Sequence, residues 1–166
     1  VPGYTFVLVE MPANVSGAAT GIFTGVPAGT YTIEVRDLNL CQRITTAVTV
    51  SEPAVLTATA AVTSNYNGEQ ISCNGASDGI IKVTTSGGTT PYSFVLVEIP
   101  GNVTGAATGT FTGIPAGTYT FNVLDVNNCP VTTLPVTVSE PTPVVASAAV
   151  TSNYNGRQIS CNGASD

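Results

Sequence analysis

The chain has 166 residues, only 8% of them charged, with four basic and ten acidic side chains and a formal net charge of −6. That balance excludes the basic footprint that nucleic acid requires and works against binding to an anionic membrane surface. With no histidine present, serine–histidine, cysteine–histidine and histidine–metal constellations are excluded too, so no catalytic activity and no cofactor is expected.

A composition rich in threonine, valine, glycine and alanine favours strands and turns, because β-branched side chains suit a pleated surface and lose rotamer freedom in a helix. Residues 1–53 read as the closing part of a pattern that is complete over 54–141 and opens again over 142–166. In the complete copy, residues 55–64 alternate and predict a first strand, continued by 70–73, with an Asn-, Gly- and Asp-rich turn over 74–79. A second strand is expected over 80–85. The turn Gly87-Gly-Thr-Thr-Pro91 leads to a third over 92–98, with Tyr92, Phe94 and Leu96 on one face. A loop over 100–109 and a short strand over 110–113 follow. Pro115-Ala-Gly117 turns the chain into 118–125, where Tyr119, Phe121 and Val123 alternate with Thr118, Thr120 and Asn122. After a turn at 126–128, residues 131–140 close the copy. No period of 3.6 persists, and about seven short strands with regular turns predict an Ig-like β-sandwich. Tyr119, like Tyr31 before it, follows a tight Ala-Gly turn. This is where the tyrosine corner of such sandwiches lies, an ordinary core tyrosine being the alternative.

The pattern repeats at a fixed offset. Phe6-Val-Leu-Val-Glu10 returns as Phe94-Val-Leu-Val-Glu98, and Pro27-Ala-Gly-Thr-Tyr-Thr32 as Pro115-Ala-Gly-Thr-Tyr-Thr120. Ile71-Ser-Cys-Asn-Gly-Ala-Ser-Asp78 returns over 159–166. Each pair is 88 residues apart, without insertion or deletion, and roughly two thirds of the matched positions are identical. Such a period is too long for a solenoid unit and suits an independently folded sandwich. The fold class expected is therefore all-β, as tandem Ig-like repeats stacked into a rod or filament. Ser51-Glu-Pro53 and Ser139-Glu-Pro141 mark the junctions, where Pro53 and Pro141 restrict the chain and imply one repeated inter-domain angle. Strands of about eight residues at ~3.3 Å, with their loops, imply an advance of some 35–45 Å per repeat.

No apolar run approaches the length of a membrane span, the most apolar stretch being 144–150, so no membrane insertion is expected. No basic-plus-apolar leader opens the chain and Val1 is not a start residue, so a longer polypeptide, or a subunit completed by its neighbour, is expected.

Cys73-Asn-Gly-Ala-Ser-Asp-Gly79, Gly87-Gly-Thr-Thr-Pro-Tyr92, Ile114-Pro-Ala-Gly-Thr-Tyr119 and Asp125-Val-Asn-Asn-Cys129 together resemble the SprB-type repeat of Bacteroidetes surface adhesins. The resemblance implies secretion, display at the cell surface, and adhesion or gliding motility through a long filament.

Four cysteines in a secreted β-rich array argue for disulfides. Cys73 could pair with Cys129 inside one repeat, leaving Cys41 and Cys161 with partners elsewhere. Alternatively, the early cysteine of one repeat bonds the late cysteine of the next; free thiols are the third option. Asp37 and Asp125 open Asp-x-Asn turns that read as Asx turns, with a Ca²⁺ loop as the alternative. Glu10 and Glu98, at the end of the third strand, are expected to be solvated, pairing for acid–base work being the alternative. Asn14-Val-Ser16 and Asn102-Val-Thr104 match the glycosylation sequon.

The leading functional expectation is a stalk segment of a giant surface adhesin. Its partners would be neighbouring identical repeats, and any surface or glycan ligand would be met by a tip outside the fragment. A pilus-like fibre subunit, completed by β-strand addition from another chain, is the alternative. A carbohydrate-binding module ranks last for want of tryptophan.

Overall fold

The computed structural model describes residues 3–165. Val1, Pro2 and Asp166, at the outer ends of the expected ranges 1–53 and 142–166, lie outside the described residues. Among the described residues the protein is all-β, with thirteen strands and no helix. It divides into two compact units, one running to Val55 and the other starting at Leu56.

The first unit holds β1 (Thr5–Leu8), β2 (Gly29–Tyr31), β3 (Ile33–Arg36), β4 (Gln42–Ile44) and β5 (Val48–Val50). A sheet runs β1-β3-β4, antiparallel throughout, with Phe6 opposite Val35 and Leu8 opposite Ile33. Strands β2 and β5 pair separately, Tyr31 opposite Val48.

The second unit holds β6 (Thr57–Val62), β7 (Gly79–Ser86), β8 (Ser93–Leu96), β9 (Thr110–Ile114), β10 (Gly117–Tyr119), β11 (Phe121–Leu124), β12 (Pro130–Thr132) and β13 (Val136–Val138). One sheet runs β6-β7-β9 and the other β8-β11-β12, all antiparallel, with β10 and β13 as a further pair. The first, second and fourth strands of the unit thus form one sheet and the third, sixth and seventh the other, a two-sheet division of the immunoglobulin kind. Period-two alternation explains the faces of β7, β8 and β11, and in β9 a register shift against β7 brings both Phe111 and Ile114, three residues apart, to the inner face. Ile81 and Val83 of β7 and Phe111 and Ile114 of β9 point inward, as do Phe94 and Leu96 of β8 and Phe121 and Val123 of β11. Phe111 and Phe121 meet across the sheets with ring centroids 4.9 Å apart. Each such side chain, fully buried, contributes about 1.5–3 kcal/mol. The loop before β9 passes so close that a Cβ on Gly105 would lie 2.4 Å from the Phe111 ring, so only glycine fits there.

Three expected strands differ. Residues 70–73 form no strand; instead Ile71 drops, fully buried, into the core from the loop between β6 and β7. The strand expected over 118–125 breaks at Thr120 into β10 and β11. The closing segment breaks at Thr133 into β12 and β13. The breaks are linked: the Thr133 hydroxyl accepts the Phe121 amide at 3.1 Å and a carboxylate takes the Thr120 amide, so at each point a side chain takes one amide while the Phe121 and Thr120 carbonyls still accept from the Thr133 and Val97 amides.

Residues 142–165 form no strand, although 145–150 correspond to β6. Val144 is 97% exposed and Val145 86%. Among the described residues no strand lies beside 145–150, and a strand without a partner leaves its backbone groups to water. Only the small bridge Tyr154–Arg157 forms, matching Tyr66–Glu69 in the complete repeat.

Candidate functional site

Four side-chain clips recur in both units. The Tyr119 hydroxyl donates to the Pro115 carbonyl at 2.9 Å, and Tyr31 does the same to Pro27 at 2.9 Å. This is tyrosine-corner geometry, pinning the turn that enters β10 or β2. Burial, and then the nearby Glu98 charge, push the Tyr119 phenol up. Glu98 is not simply solvated: its carboxylate accepts the Thr120 amide at 2.9 Å and hydroxyl at 2.7 Å, as Glu10 does from Thr32. Desolvation alone would raise Glu98, but the two Thr120 hydrogen bonds outweigh it and hold the carboxyl below its ordinary value. Neither glutamate faces a second carboxylate in an acid–base arrangement within its clip.

The Asx turns are also built twice. Asp125 is 4% exposed; its carboxylate accepts the amides of Asn127 and Cys129 at 2.9 Å each and that of Thr89 at 3.0 Å. The Cys129 amide is the largest influence lowering its pKa. Asp37 holds Asn39 and Cys41 in the same way. With amides occupying the carboxylate, little remains for a cation, and no cluster of three or more candidate metal ligands occurs among the described residues. The sequon asparagines serve as clips too. Asn102 donates to the Thr112 carbonyl at 2.8 Å and accepts from the Thr104 amide and hydroxyl, and Asn14 repeats this with Thr24 and Ser16.

Cys41, Cys73, Cys129 and Cys161 are all free and exposed, so the expected disulfides do not form in this structure. For the pair Cys73–Cys129 the reason is geometric. Cys73 lies in the loop joining Val62 to Gly79. Cys129 follows a turn tied to Thr89, beyond the opposite end of β7. An eight-residue strand separates the two ends by ~25 Å, whereas a disulfide needs Cα atoms within about 7 Å. The Asp125 charge, with a smaller part from desolvation, pushes the Cys129 thiol up, away from the reactive thiolate.

The junction Ser139-Glu140-Pro141 is not a free linker. The Gln70 side-chain oxygen accepts the Ser139 amide at 2.7 Å and hydroxyl at 3.1 Å. The Gly75 amide donates to the Glu140 carboxylate at 2.8 Å, and the Asn74 side chain donates to the Pro141 carbonyl at 3.1 Å. In sequence Gln70 reads as part of a strand, and Asn74 and Gly75 as turn residues. The signal that marks them is their unchanged return as Gln158, Asn162 and Gly163. In the first unit, Ser51, Glu52 and Pro53 are exposed and make none of these contacts among the described residues. Beside them lies an open cavity of about 240 Å³ lined by Leu8, Phe23, Val26, Tyr31, Val48 and Val50, among others.

Residues 65–97 match the family model of the SprB repeat. The matched stretch holds the first two motifs of the resemblance, Cys73 to Gly79 and Gly87 to Tyr92. No curated protein matches the chain. Among solved structures, the C-terminal 282-residue fragment of intimin, in complex with the intimin-binding domain of the translocated intimin receptor, aligns at 18% identity and a TM-score of 0.33. The alignment covers 72% of this chain and 42% of that one, so this chain spans less than half of the fragment.

Proposed function

We propose that this chain is a structural segment of a secreted cell-surface adhesin, a stalk of SprB-type, Ig-like repeats that positions a binding tip and catalyses nothing. The observation that carries the reading is the clipped junction. Gln70, Asn74 and Gly75 tie Ser139-Glu140-Pro141 to the body of its own repeat, so the direction in which the chain leaves is set by hydrogen bonds, not by a swivelling linker. The SprB match over 65–97 supports the surface-adhesin part of the reading. A spacer has to be stable, soluble and like its neighbours. The tyrosine, glutamate, aspartate and asparagine clips recur in both units, the junction clip being made in the second, and the reactive constellations are missing from the sequence, as such a role requires. Neighbouring repeats are the partners proposed, and adhesion or gliding the process served.

The test is the length of arrays carrying two, four and six whole repeats, measured by small-angle X-ray scattering. The maximum dimension should rise linearly by some 35–45 Å per repeat, the length of one strand layer with its loops. Dimensions that level off as repeats are added would remove the stalk reading.

A further inference from the structure

The junction clip is built on a chemically labile dipeptide. In an Asn–Gly step the glycine amide nitrogen can attack the asparagine side-chain carbonyl carbon, because no Cβ shields that nitrogen. Asn74-Gly75, inside the clip, is such a step. The sequon asparagines that also act as clips, Asn14 and Asn102, precede valine, whose branched side chain crowds the same nitrogen. The turn itself calls for Gly75: its φ is +79°, in the left-handed region that glycine favours. In the closed clip both reacting nitrogens are taken. The attacking one, the Gly75 amide, donates to the Glu140 carboxylate at 2.8 Å. The leaving one, the Asn74 side-chain amide, donates to the Pro141 carbonyl at 3.1 Å. To react, Asn74 has to release Pro141 and turn its side-chain carbonyl carbon onto the Gly75 nitrogen. Gln70, which accepts the Ser139 amide at 2.7 Å, and the buried Ile71 beside it keep the two segments together.

We infer that Asn74 is a self-modification site guarded by the clip: it persists while the clip is closed and converts to aspartate or isoaspartate when the clip is open. The Gly75 nitrogen forms a bond to the Asn74 side-chain carbonyl carbon, and the bond from that carbon to Nδ2 breaks. The proton lost by the Gly75 amide passes through solvent to Nδ2, which leaves as ammonia. Water then adds to either carbonyl of the cyclic imide and opens it. The net change turns one amide and one water into one acid and one ammonia. The product cannot restore the clip. A carboxylate has no proton to give the Pro141 carbonyl, and it places a second negative charge next to the Glu140 carboxylate that holds Gly75. The clip is therefore a one-way latch, disabled by an opening that lasts long enough for the ring to close. This rests on the geometry of the clip and does not depend on the stalk reading.

Peptide mapping of the full chain by mass spectrometry tests it, with isoaspartate counted by enzymatic methylation of its carboxylate. The chain is held at mildly alkaline pH, either folded or in urea. Conversion at Asn74 should be at least about tenfold slower in the folded chain, because it waits there on local opening of the clip. Glu140→Ala and Gln70→Ala should each raise the folded-state rate severalfold and leave the rate in urea unchanged. Far-UV circular dichroism checks that each variant is folded. Glu140→Gln keeps an acceptor for the Gly75 amide and should retain most of the protection. If Glu140 instead served as the base that activates Gly75, both Glu140 variants would slow conversion, and the guard would be refuted. Asn74→Asp, the product itself, should speed hydrogen exchange at the Gly75 and Ser139 amides severalfold. Folded conversion as fast as in urea, no acceleration in Glu140→Ala and Gln70→Ala, or unchanged exchange in Asn74→Asp would each overturn the proposal.

Discussion

Phe111 and Phe23 occupy the same place in the repeat, yet the first is completely buried and the second only half-buried. Val138 is 1% exposed and its counterpart Val50 37%; residues 110–114 form β9, and the matching 22–26 form no strand. The clips do not share this difference. Tyr31 bonds Pro27 as Tyr119 bonds Pro115, Glu10 holds Thr32 as Glu98 holds Thr120, and Asp37 makes the turn that Asp125 makes. What separates the units is β6, β7 and Ile71, which the second has and the first lacks. The clips join residues close in sequence or on adjacent strands of one sheet, so they form wherever that sheet forms. The core joins two sheets, so it closes only where both are present.

The strongest way to break this comparison is to give the first unit what it lacks. A copy of residues 54–88 placed ahead of residue 1 should turn 22–26 into a strand and bury Phe23, Val26 and Val50. The gain should be on the order of 5 kcal/mol at 1.5–3 kcal/mol for each side chain newly buried. Hydrogen exchange at the amides of 22–26 reports the change, and unaltered exchange there would show that the missing sheet is not the cause. In the opposite direction, Ile81→Ala should destabilise the second unit by about 3 kcal/mol while leaving the first untouched, read by chemical unfolding with exchange resolved by unit.

Smaller changes sharpen the claim that the clips are local. Tyr31→Phe and Tyr119→Phe should each cost about 1 kcal/mol, and by similar amounts, because the same single hydrogen bond is lost in each unit. A much larger loss in the second unit would mean that the clip depends on the closed core. Leu40 holds a left-handed conformation, φ 66°, where the second unit has Asn128 at φ 62°. Asparagine tolerates that region better than leucine, so Leu40→Asn should raise the first unit's stability by about 0.5–1 kcal/mol in thermal unfolding.

The smallest effect is the pH dependence. Desolvation raises Glu98, but the Thr120 amide and hydroxyl more than compensate, and Asp125 is lowered chiefly by the Cys129 amide. Both folded pKa values therefore lie below the unfolded ones. The stability they contribute is full above the unfolded carboxylate range, near 4, and is lost as pH falls through the folded values. Urea midpoints should fall between pH 6 and pH 3, and Glu98→Gln should flatten that fall. A midpoint that rises on acidification would contradict the clip.

Much of this was legible in the residues. Alternation placed β6, β7 and β8 within a residue or two, and it chose the buried faces of β8 and β11, because the aromatic Phe94 and Phe121 stand on the same side as Leu96 and Val123. The turn at Asp125 was legible because Asp-x-Asn carries its own hydrogen-bonding pattern. The strand breaks at Thr120 and Thr133 were not, since a threonine in an alternating run looks like any strand residue until Glu98 or the Phe121 amide is beside it. Nor were the roles of Gln70, Asn74 and Gly75, which depend on partners 65 to 69 residues away. The Cys73–Cys129 pair, one of three options, fails on topology that a sandwich already implies: its two turns lie at opposite ends of β7.

By itself, then, the sequence determined the all-β class, the 88-residue period, the inward faces and the local turns, because each rests on residues a few positions apart or on exact repetition. Tertiary structure alone decided that 57–62 is a strand while 145–150 is not, that Val138 is buried while Val50 is open, and that Ile71 is a plug while Ile159 meets solvent. Near-identical segments reach opposite outcomes because a strand needs a neighbour to take its hydrogen bonds, and an apolar side chain needs an opposing sheet to exclude water.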